Sequence, residues 1–226
     1  MKGKRIFYCE ISYVIGIILL ALGTSFMEKA NFGMSMIVAP AYLIHLKLSQ
    51  FVPFFSFGMS EYVFQALLLI LLAIIMRKVK KSYFLSFTTA IIYGLVLDVM
   101  IRLVSLFPYS QMAWRIAFYA LGLIICTIGV SLLLHTYLPP EVYELIVKEI
   151  AEKSNMSIGK IKTIYDCCSC VLSIVLSLSL FGTFVGVNWG TIVCALLNGW
   201  LIGLISRWLE NKFIFKDALP LRDKLT

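Results

Sequence analysis

Two ionisable residues stand just before one of the most apolar stretches of the chain. Lys162 and Asp166 lie four residues apart, and the forty residues 167–206 that follow contain no Asp, Glu, Lys or Arg. On a helix, residues four apart are neighbours on one face and can form an ion pair. A carboxylate inside a membrane can instead bind a proton or a cation whose movement is coupled to transport. The spacing leaves both interpretations open for Asp166.

Four further polar residues interrupt apolar segments of the chain. An ionisable group at mid-membrane costs about 2.5 to 3.5 kcal/mol on insertion scales, so such groups are retained mainly where they face a partner or a cavity. One of the four, Asp98, has Arg102 one helical turn later, and an ion pair between them is the structural alternative to a binding role. The candidate residues for binding a substrate or an ion are Asp166, Lys162, Asp98, Glu61, Gln65 and Asn198.

Six cysteines and two histidines are the residues with the strongest preference for metal ions. Cys167 and Cys170 share a helix face, but a structural zinc site usually needs four ligands and no His lies in this segment. We therefore expect no metal site, and interpret the thiols as small residues that let helices approach closely. The chain also has no HExxH motif, no phosphate-binding glycine loop and no paired nucleophile and base. These absences predict a protein that is not an enzyme and needs no cofactor.

The composition places these residues in a membrane protein. The chain is 61% hydrophobic and 14% charged, which is too apolar for a soluble core of this size. A helix needs roughly 20 apolar residues to cross a bilayer core about 30 Å thick. We therefore predict an all-α, polytopic fold in a single integral membrane domain over residues 1–226, with six spanning helices near residues 11–27, 62–76, 83–104, 114–134, 163–181 and 187–209.

Lysine and arginine predict the orientation of these spans. Six spans place 16 of the 20 basic residues on the side of the N-terminus, and only Lys29, Lys47, Arg102 and Arg115 fall elsewhere. Because cytoplasmic loops collect positive charge, both termini are predicted to be cytoplasmic, with a short basic tail over residues 211–226. The net charge of +8 then reflects topology and attraction to anionic lipid. No basic face of a soluble surface, as nucleic-acid binding requires, is visible.

The two halves of the chain resemble each other. "ALGTSFM" matches "TIGVSLL" and pairs Gly23 with Gly129, while "FSFGMSEYVFQ" matches "MSIGKIKTIYD" and pairs Gln65 with Asp166. The units, residues 8–106 and 112–212, each contain three spans, so the second must enter the membrane inverted. Inverted repeats recur in secondary transporters, whose substrate site lies near the midplane at the repeat interface. Gln65 and Asp166 are accordingly predicted to face each other there.

Each unit also contains a linking segment that is not a clean span. Residues 30–58 are apolar but are broken by Gly33, Pro40 and Pro53, which indicates a re-entrant or interfacial segment. Its counterpart begins at two prolines and predicts an amphipathic helix at the cytoplasmic interface. The apolar stripe of that helix is Val142, Leu145, Ile146 and Ile150, and its predicted i,i+4 ion pairs are Glu144 with Lys148 and Glu149 with Lys153.

Glycines spaced by four suggest close helix packing in the last span. Gly199 and Gly203 have this small-xxx-small spacing, which lets two helix backbones approach closely. We therefore predict that they lie in a seam between helices.

Several of these stretches, taken in order, resemble the YczE/YyaS/YitT-type bacterial membrane proteins, and most closely their YczE-like branch. The stretches are "ALGTSFMEKANFG", "GLVLD", "IGKIKTIYD" and "GVNWGT", and the resemblance covers nearly the whole chain. Two departures are Met36 in place of a proline and "PPEVYE" in place of Gly-Glu-Gly. The landmarks that the resemblance carries over are Gly23, Lys29, Ala30, Gly33, Ser35, Asp98, Lys162, Asp166, Gly190 and Thr191.

The resemblance implies a multi-span protein of the bacterial plasma membrane and supplies no reaction, substrate or cofactor. Five of its landmarks are candidates for close approach of backbone to a ligand: Gly23, Gly33, Ser35, Gly190 and Thr191.

The sequence therefore favours a transporter-like protein that binds or moves an unidentified small molecule, in contact with membrane lipid. The alternative is a membrane-embedded accessory or substrate-capture subunit that needs a partner protein. Because the chain has no Walker-type loop, any ATP-driven step would have to come from another chain. The sequence leaves the substrate, the coupling ion, and a homo-oligomeric state or partner subunit open.

Overall fold

The computed structural model describes residues 4–107, 111–156 and 158–219. Within them the chain forms six helices of 20 to 25 residues that are long and apolar enough to cross a membrane, which confirms the predicted polytopic all-α fold. In chain order these are α1 (Cys9–Ala30), α3 (Phe57–Met76), α4 (Lys81–Ser105), α5 (Met112–Leu134), α7 (Ile158–Phe181) and α8 (Trp189–Lys212). Two shorter helices, α2 (Ala39–Leu48) and α6 (Val142–Ser154), lie in the linking segments.

Two strands of four residues hold the chain termini at one end of the helix bundle. Strand β1 (Arg5–Tyr8) precedes α1 and pairs in parallel with β2 (Phe213–Lys216), which follows α8. The Glu10 carboxylate then accepts hydrogen bonds from the backbone N–H groups of Ala218 and Leu219. We call this the termini end and the opposite one the far end. Part of the predicted basic tail thus continues α8 and forms β2, and its last residues, 220–226, lie outside the described part of the chain.

The spans alternate in direction, as hydrogen bonds at the far end show. Lys29, at the end of α1, donates to the carbonyl oxygen of Ser105, at the end of α4. Arg115, at the start of α5, donates to the carbonyl oxygen of Ala30. Helices α1 and α4 therefore end where α5 begins.

Helices α1 and α5 cross through glycines. A Cβ atom added to Gly23 would lie 2.6 Å from the carbonyl oxygen of Gly122, and one added to Gly129 would lie 2.8 Å from that of Gly16. Between these contacts, the Cys126 thiol donates to the carbonyl oxygen of Leu20 at 3.6 Å. Small residues permit this backbone contact, which dispersion forces stabilise inside a membrane.

Helix α2 is too short to span a membrane and lies against α3 and α7. Its ten residues cover about 15 Å, and Pro40 occupies its first turn, where no intrahelical N–H bond is lost. The residues from Ala39 to Leu43 are buried, and Ser60 of α3 donates to the carbonyl oxygen of Ala41. At the other end of α2, Lys47 donates to the carbonyl oxygen of Leu180 at 3.1 Å. The first half of α2 is thus enclosed by protein, as irregular or short segments at membrane depth require.

Helix α6 runs along α3 from the middle of the bundle to the termini end. At its start, the Val142 N–H donates to the side-chain oxygen of Gln65 at 3.1 Å; at its end, Lys153 donates to the carbonyl oxygen of Ile75 at 2.6 Å. Gln65 follows the first residue of α3, Phe57, by eight residues, which is about 12 Å along a helix of about 30 Å. The amphipathic helix was correctly predicted, and it packs along α3 between Gln65 and Ile75.

The apolar stripe of α6 is packed on α3, α4 and α7, and this burial gives its carboxylates new partners. Glu149 binds Lys80 at 2.7 Å, and Glu144 lies 3.7 Å from Lys162. The predicted pairs of these glutamates with lysines on their own helix are therefore wrong. Because α6 packs on other helices, each of these glutamates lies beside a lysine from another segment.

The two halves differ in how tightly their last two spans pack. Helices α3 and α4 touch through Gly58 and Gly94, where an added Cβ would overlap the facing glycine's backbone. Gly199 and Gly203 of α8, by contrast, have no atom within 4 Å of an added Cβ. The predicted glycine seam in the last span is therefore wrong, and this face of α8, with Leu196, Trp200 and Leu204, is exposed.

Candidate functional site

Two glutamates meet inside the bundle with a glutamine between them. Glu61 and Gln65 stand one turn apart on α3, and Glu141 immediately precedes α6. The Gln65 side-chain nitrogen, Nε2, donates to Oε2 of Glu61 at 3.4 Å and to Oε2 of Glu141 at 3.3 Å. Tyr143 donates from its hydroxyl to the same Glu61 oxygen at 2.8 Å. We call Glu61 and Glu141 the carboxylate pair.

The carboxylate pair is buried and incompletely satisfied. Glu61 is 0% exposed and Glu141 is 3% exposed, and the Oε1 atom of each has no hydrogen-bond partner. Across the described ranges, no lysine, arginine or histidine nitrogen lies within 4.0 Å of either group. A buried carboxylate without a cation is costly, and two neighbouring ones repel each other.

The electrostatic environment of Glu141 favours its neutral form. Burial is the largest cause that raises the pKa of Glu141 well above its ordinary value, and the charges of Glu144 and Glu61 add to it. The hydrogen bond from Gln65 opposes this shift. Burial and the charge of Glu61 likewise raise the pKa of Tyr143, so its hydroxyl stays a donor at neutral pH.

Sequence reasoning found half of this site. Glu61 and Gln65 were candidates because they interrupt an apolar span, but Glu141 and Tyr143 were missed. Glu141 stands in a charged run that is typical of a solvated helix face. The local sequence signal for a buried Glu141 was the pair of prolines before it. In the structure, the carbonyl oxygen of Pro139 accepts a hydrogen bond from the Thr89 hydroxyl inside the bundle.

Lys162 and Asp166 form the predicted ion pair, and a third residue joins it. The Lys162 ammonium lies 3.5 Å from Asp166 and 3.7 Å from Glu144 of α6. All three side chains are about a quarter exposed. The prediction that Asp166 faces Gln65 does not match these contacts, because Gln65 instead binds Glu61 and Glu141. The ion pair therefore joins α6 to α7.

Asp98 accepts hydrogen bonds from groups at the start of α3. Its carboxylate accepts hydrogen bonds from the Ser56 hydroxyl and from the backbone N–H of Gly58, the latter at 2.8 Å. The predicted ion pair with Arg102 is not formed, because the free N–H groups at the start of a helix attract the carboxylate instead. The contact between Gly58 and Gly94 brings that helix start beside Asp98.

Asp98 also lines a cavity of about 160 Å³ at the far end. In this cavity, His45 donates a hydrogen bond from Nδ1 to the carbonyl oxygen of Phe55, with 2.9 Å between the two atoms. Burial is the main cause that lowers the pKa of His45, so the ring is neutral at pH 7. The cavity is lined by Glu28, His45, Ser56, Phe57, Asp98, Ile101 and Arg102, which include carboxylates and a guanidinium.

The candidates for backbone approach lie against protein. Gly33 has φ of 100°, a conformation that glycine adopts without strain, and an added Cβ would lie 2.5 Å from the Thr191 hydroxyl oxygen. The Gly190 N–H donates to the carbonyl oxygen of Phe32 at 2.9 Å. Gly23 contacts α5, and Ser35 accepts backbone hydrogen bonds from Val38 and Ala39. These landmarks position the first linking segment on the start of α8.

Asn198 joins two spans. Its side-chain oxygen lies 3.4 Å from the Thr127 hydroxyl, which also donates to the carbonyl oxygen of Leu123. Such contacts between helices stabilise a bundle inside a membrane. Among the residues that the structure describes, no group of three or more His, Cys, Asp or Glu side chains is arranged to hold a metal ion.

The comparison with protein families identifies the chain at the level of a family. DUF6198, a family of unknown function, matches residues 7–207, which is most of the chain. No curated protein and no solved structure matches it. The protein therefore belongs to the DUF6198 family of unknown function.

Proposed function

We propose that this protein is a transporter that binds and moves a small molecule across the membrane, and that it is built from two inverted units, residues 8–106 and 112–212. The observation that carries the proposal is a reciprocal pair of contacts. Lys47 at the end of α2 binds the carbonyl of Leu180 near the end of α7, and Lys153 at the end of α6 binds that of Ile75 near the end of α3. Each short helix is thus anchored on a span of the other unit.

The spacing of these contacts supports inversion. The two lysines stand 106 residues apart and the two carbonyls 105 apart. The same relation holds where α1 crosses α5. Adding 106 to Gly23 and Gly16 gives Gly129 and Gly122, so the contact of Gly23 with Gly122 corresponds to that of Gly129 with Gly16. Leu20 and Cys126, which contact each other, are also 106 residues apart. Contacts that exchange in this way are expected of a two-fold axis in the membrane plane, the symmetry on which many secondary transporters are built.

The unequal packing of the halves supports movement. Helices α3 and α4 touch at Gly58 and Gly94, whereas their counterparts α7 and α8 leave Gly199 and Gly203 open. In alternating access, two related units adopt different conformations and exchange them during the cycle. The proposal includes membrane lipid as a partner and assigns the protein no catalytic step and no cofactor.

Reconstitution tests the function. Purified protein would be screened for thermal stabilisation by small amino acids, amines, carboxylates and sugars, and each stabilising compound would be tested for uptake into liposomes. We expect uptake that is absent from empty liposomes and falls several-fold in Lys153→Met, because the anchor of α6 is lost. Lys148→Met, an exposed lysine on the same helix, is the matched control.

A compound that stabilises the protein but never enters liposomes would contradict the transporter. If uptake then appeared on addition of a co-purifying subunit, the accessory role would replace it.

We further propose that the protein lies in the bacterial plasma membrane with both termini in the cytoplasm. The alternation of 16 basic residues supports this orientation, and the resemblance to YczE/YyaS/YitT-type proteins supports the plasma membrane.

Cysteine labelling tests the orientation. Single cysteines would be introduced into a cysteine-free background as Phe54→Cys and Val79→Cys. Position 54 lies between α2 and α3 at the far end, and position 79 lies between α3 and α4 at the termini end. Both side chains are well exposed, at 77% and 65%. An impermeant maleimide on intact cells should label position 54, and label position 79 only after lysis. The reverse pattern would overturn the proposed orientation.

A further inference from the structure

We propose that the carboxylate pair, Glu61 and Glu141, is a proton-binding site. This inference deepens the proposed function, since a proton held there would be the coupling ion of the transporter. The existence of the site, however, can be tested without any substrate.

The geometry favours a proton on one of the two carboxylates. The two Oε2 atoms are bridged by the Gln65 amide, while the two Oε1 atoms are buried and have no partner. If both groups were ionised, two negative charges would lie within reach of one amide, and their remaining oxygens would have no donor from the protein. One proton removes one of the two charges, and a neutral carboxyl group is less costly to bury than a carboxylate. The pair then resembles two carboxylates that titrate as one unit.

Among the residues that the structure describes, no cation lies within 4.0 Å of the pair. The titratable groups that interact with the pair come from five helices: Tyr13 of α1, Tyr93 of α4, Cys126 of α5, Tyr143 and Glu144 of α6, and Tyr165 of α7. Phenols and thiols with ordinary pKa values are neutral at pH 7. The one charged neighbour, Glu144, is negative and lies 3.7 Å from Lys162.

A proton fits the site better than a metal ion. Metal ions that bind oxygen take about six ligands, whereas here the Gln65 oxygen already accepts from Val142 and the two Oε2 atoms are also occupied. In the described ranges, the structure contains no group of three His, Cys, Asp or Glu side chains suited to a metal.

The position of the pair allows release. Glu61 belongs to the first proposed unit and Glu141 to the second, so a movement of one unit relative to the other changes the separation of the carboxylates. Separation or hydration lowers the cost of ionising both groups, and the proton leaves. Binding and release would thereby depend on the conformation of the transporter.

Infrared titration of the full-length protein in liposomes tests the site. The C=O stretch of protonated carboxyl groups would be followed from acid to alkaline pH, with Glu61→Gln, Glu141→Gln, the double variant and Glu152→Gln. We expect a wild-type band that is still present at pH 7, well above the ordinary glutamate value of about 4.3. The double variant should lose two titrating carboxyl groups per chain, one of them protonated at pH 7, since a coupled pair releases its protons in two steps. Glu152→Gln removes an exposed carboxylate of α6 and should leave the band at pH 7 unchanged.

Three results would overturn the inference. The first is a wild-type protein with no protonated carboxyl group at pH 7, which can be read even if the variants fail to fold. The second is a band unchanged in a folded double variant. The third is a midpoint that falls when sodium replaces choline at constant ionic strength, because sodium would then occupy the site. A titrating pair in a protein that moves no solute would refute the transporter and leave the proton site standing.

Discussion

Gly58→Ala is expected to destabilise the protein by about 3 kcal/mol, the upper range for overpacking a rigid core position. The nearest atoms to an added Cβ are the carbonyl oxygen and carbon of Gly94, which belong to the backbone and cannot rotate away. Helices α3 and α4 would have to separate. That separation would also pull the Gly58 N–H from Asp98, which accepts its hydrogen bond at 2.8 Å.

Gly199→Ala is the matched control for this prediction. It is the same substitution in the interior of a spanning helix, but an added Cβ there meets no atom within 4 Å. We expect unchanged or slightly raised stability, because alanine has the higher helix propensity. Unfolding of both purified variants by heat or SDS measures the difference. Equal stability of the two variants would show that α3 and α4 are not in backbone contact.

Lys80→Met is expected to cost about 2 kcal/mol, because it leaves the Glu149 carboxylate without its cation. Glu149 is only 5% exposed, and both of its oxygens accept from the Lys80 ammonium at 2.7 Å. The Tyr83 hydroxyl, at 3.3 Å, is then its one remaining partner. The expected loss of stability is smaller than for a fully buried ion pair. The Lys80 side chain is 43% exposed, so water can partly replace its ammonium group beside Glu149.

Lys81→Met controls for the loss of positive charge. Lys81 is the next residue, is exposed, and contributes equally to the basic loop between α3 and α4. Unfolding should therefore be nearly unchanged. Glu149→Gln combined with Lys80→Met should restore part of the loss, since the coupled residues are not additive. A double variant as unstable as the sum of its parts would contradict a direct interaction.

Features that depend on residues close together in the chain could be predicted from the sequence. The six spans follow from local hydropathy, and the predicted span 11–27 lies within the observed Cys9–Ala30. The ion pair of Lys162 with Asp166 was one of the two interpretations that the spacing left open, because both residues belong to one helical turn. The amphipathic pattern of α6 was equally visible, since it needs only the 3.6-residue period.

Which of several competing partners a group binds depends on the packing of distant segments. Asp98 and Arg102 have the same spacing as Lys162 and Asp166, yet Asp98 binds the start of α3, since the glycine contact brings free N–H groups beside it. Gly199 has the spacing of a helix-packing motif, but in the described part of the chain no atom lies within 4 Å of a Cβ added there. Glu141 meets Glu61 across 80 residues only because the second linking segment enters the bundle. Local pattern limits what a residue can do, but its partners depend on which distant segments pack beside it.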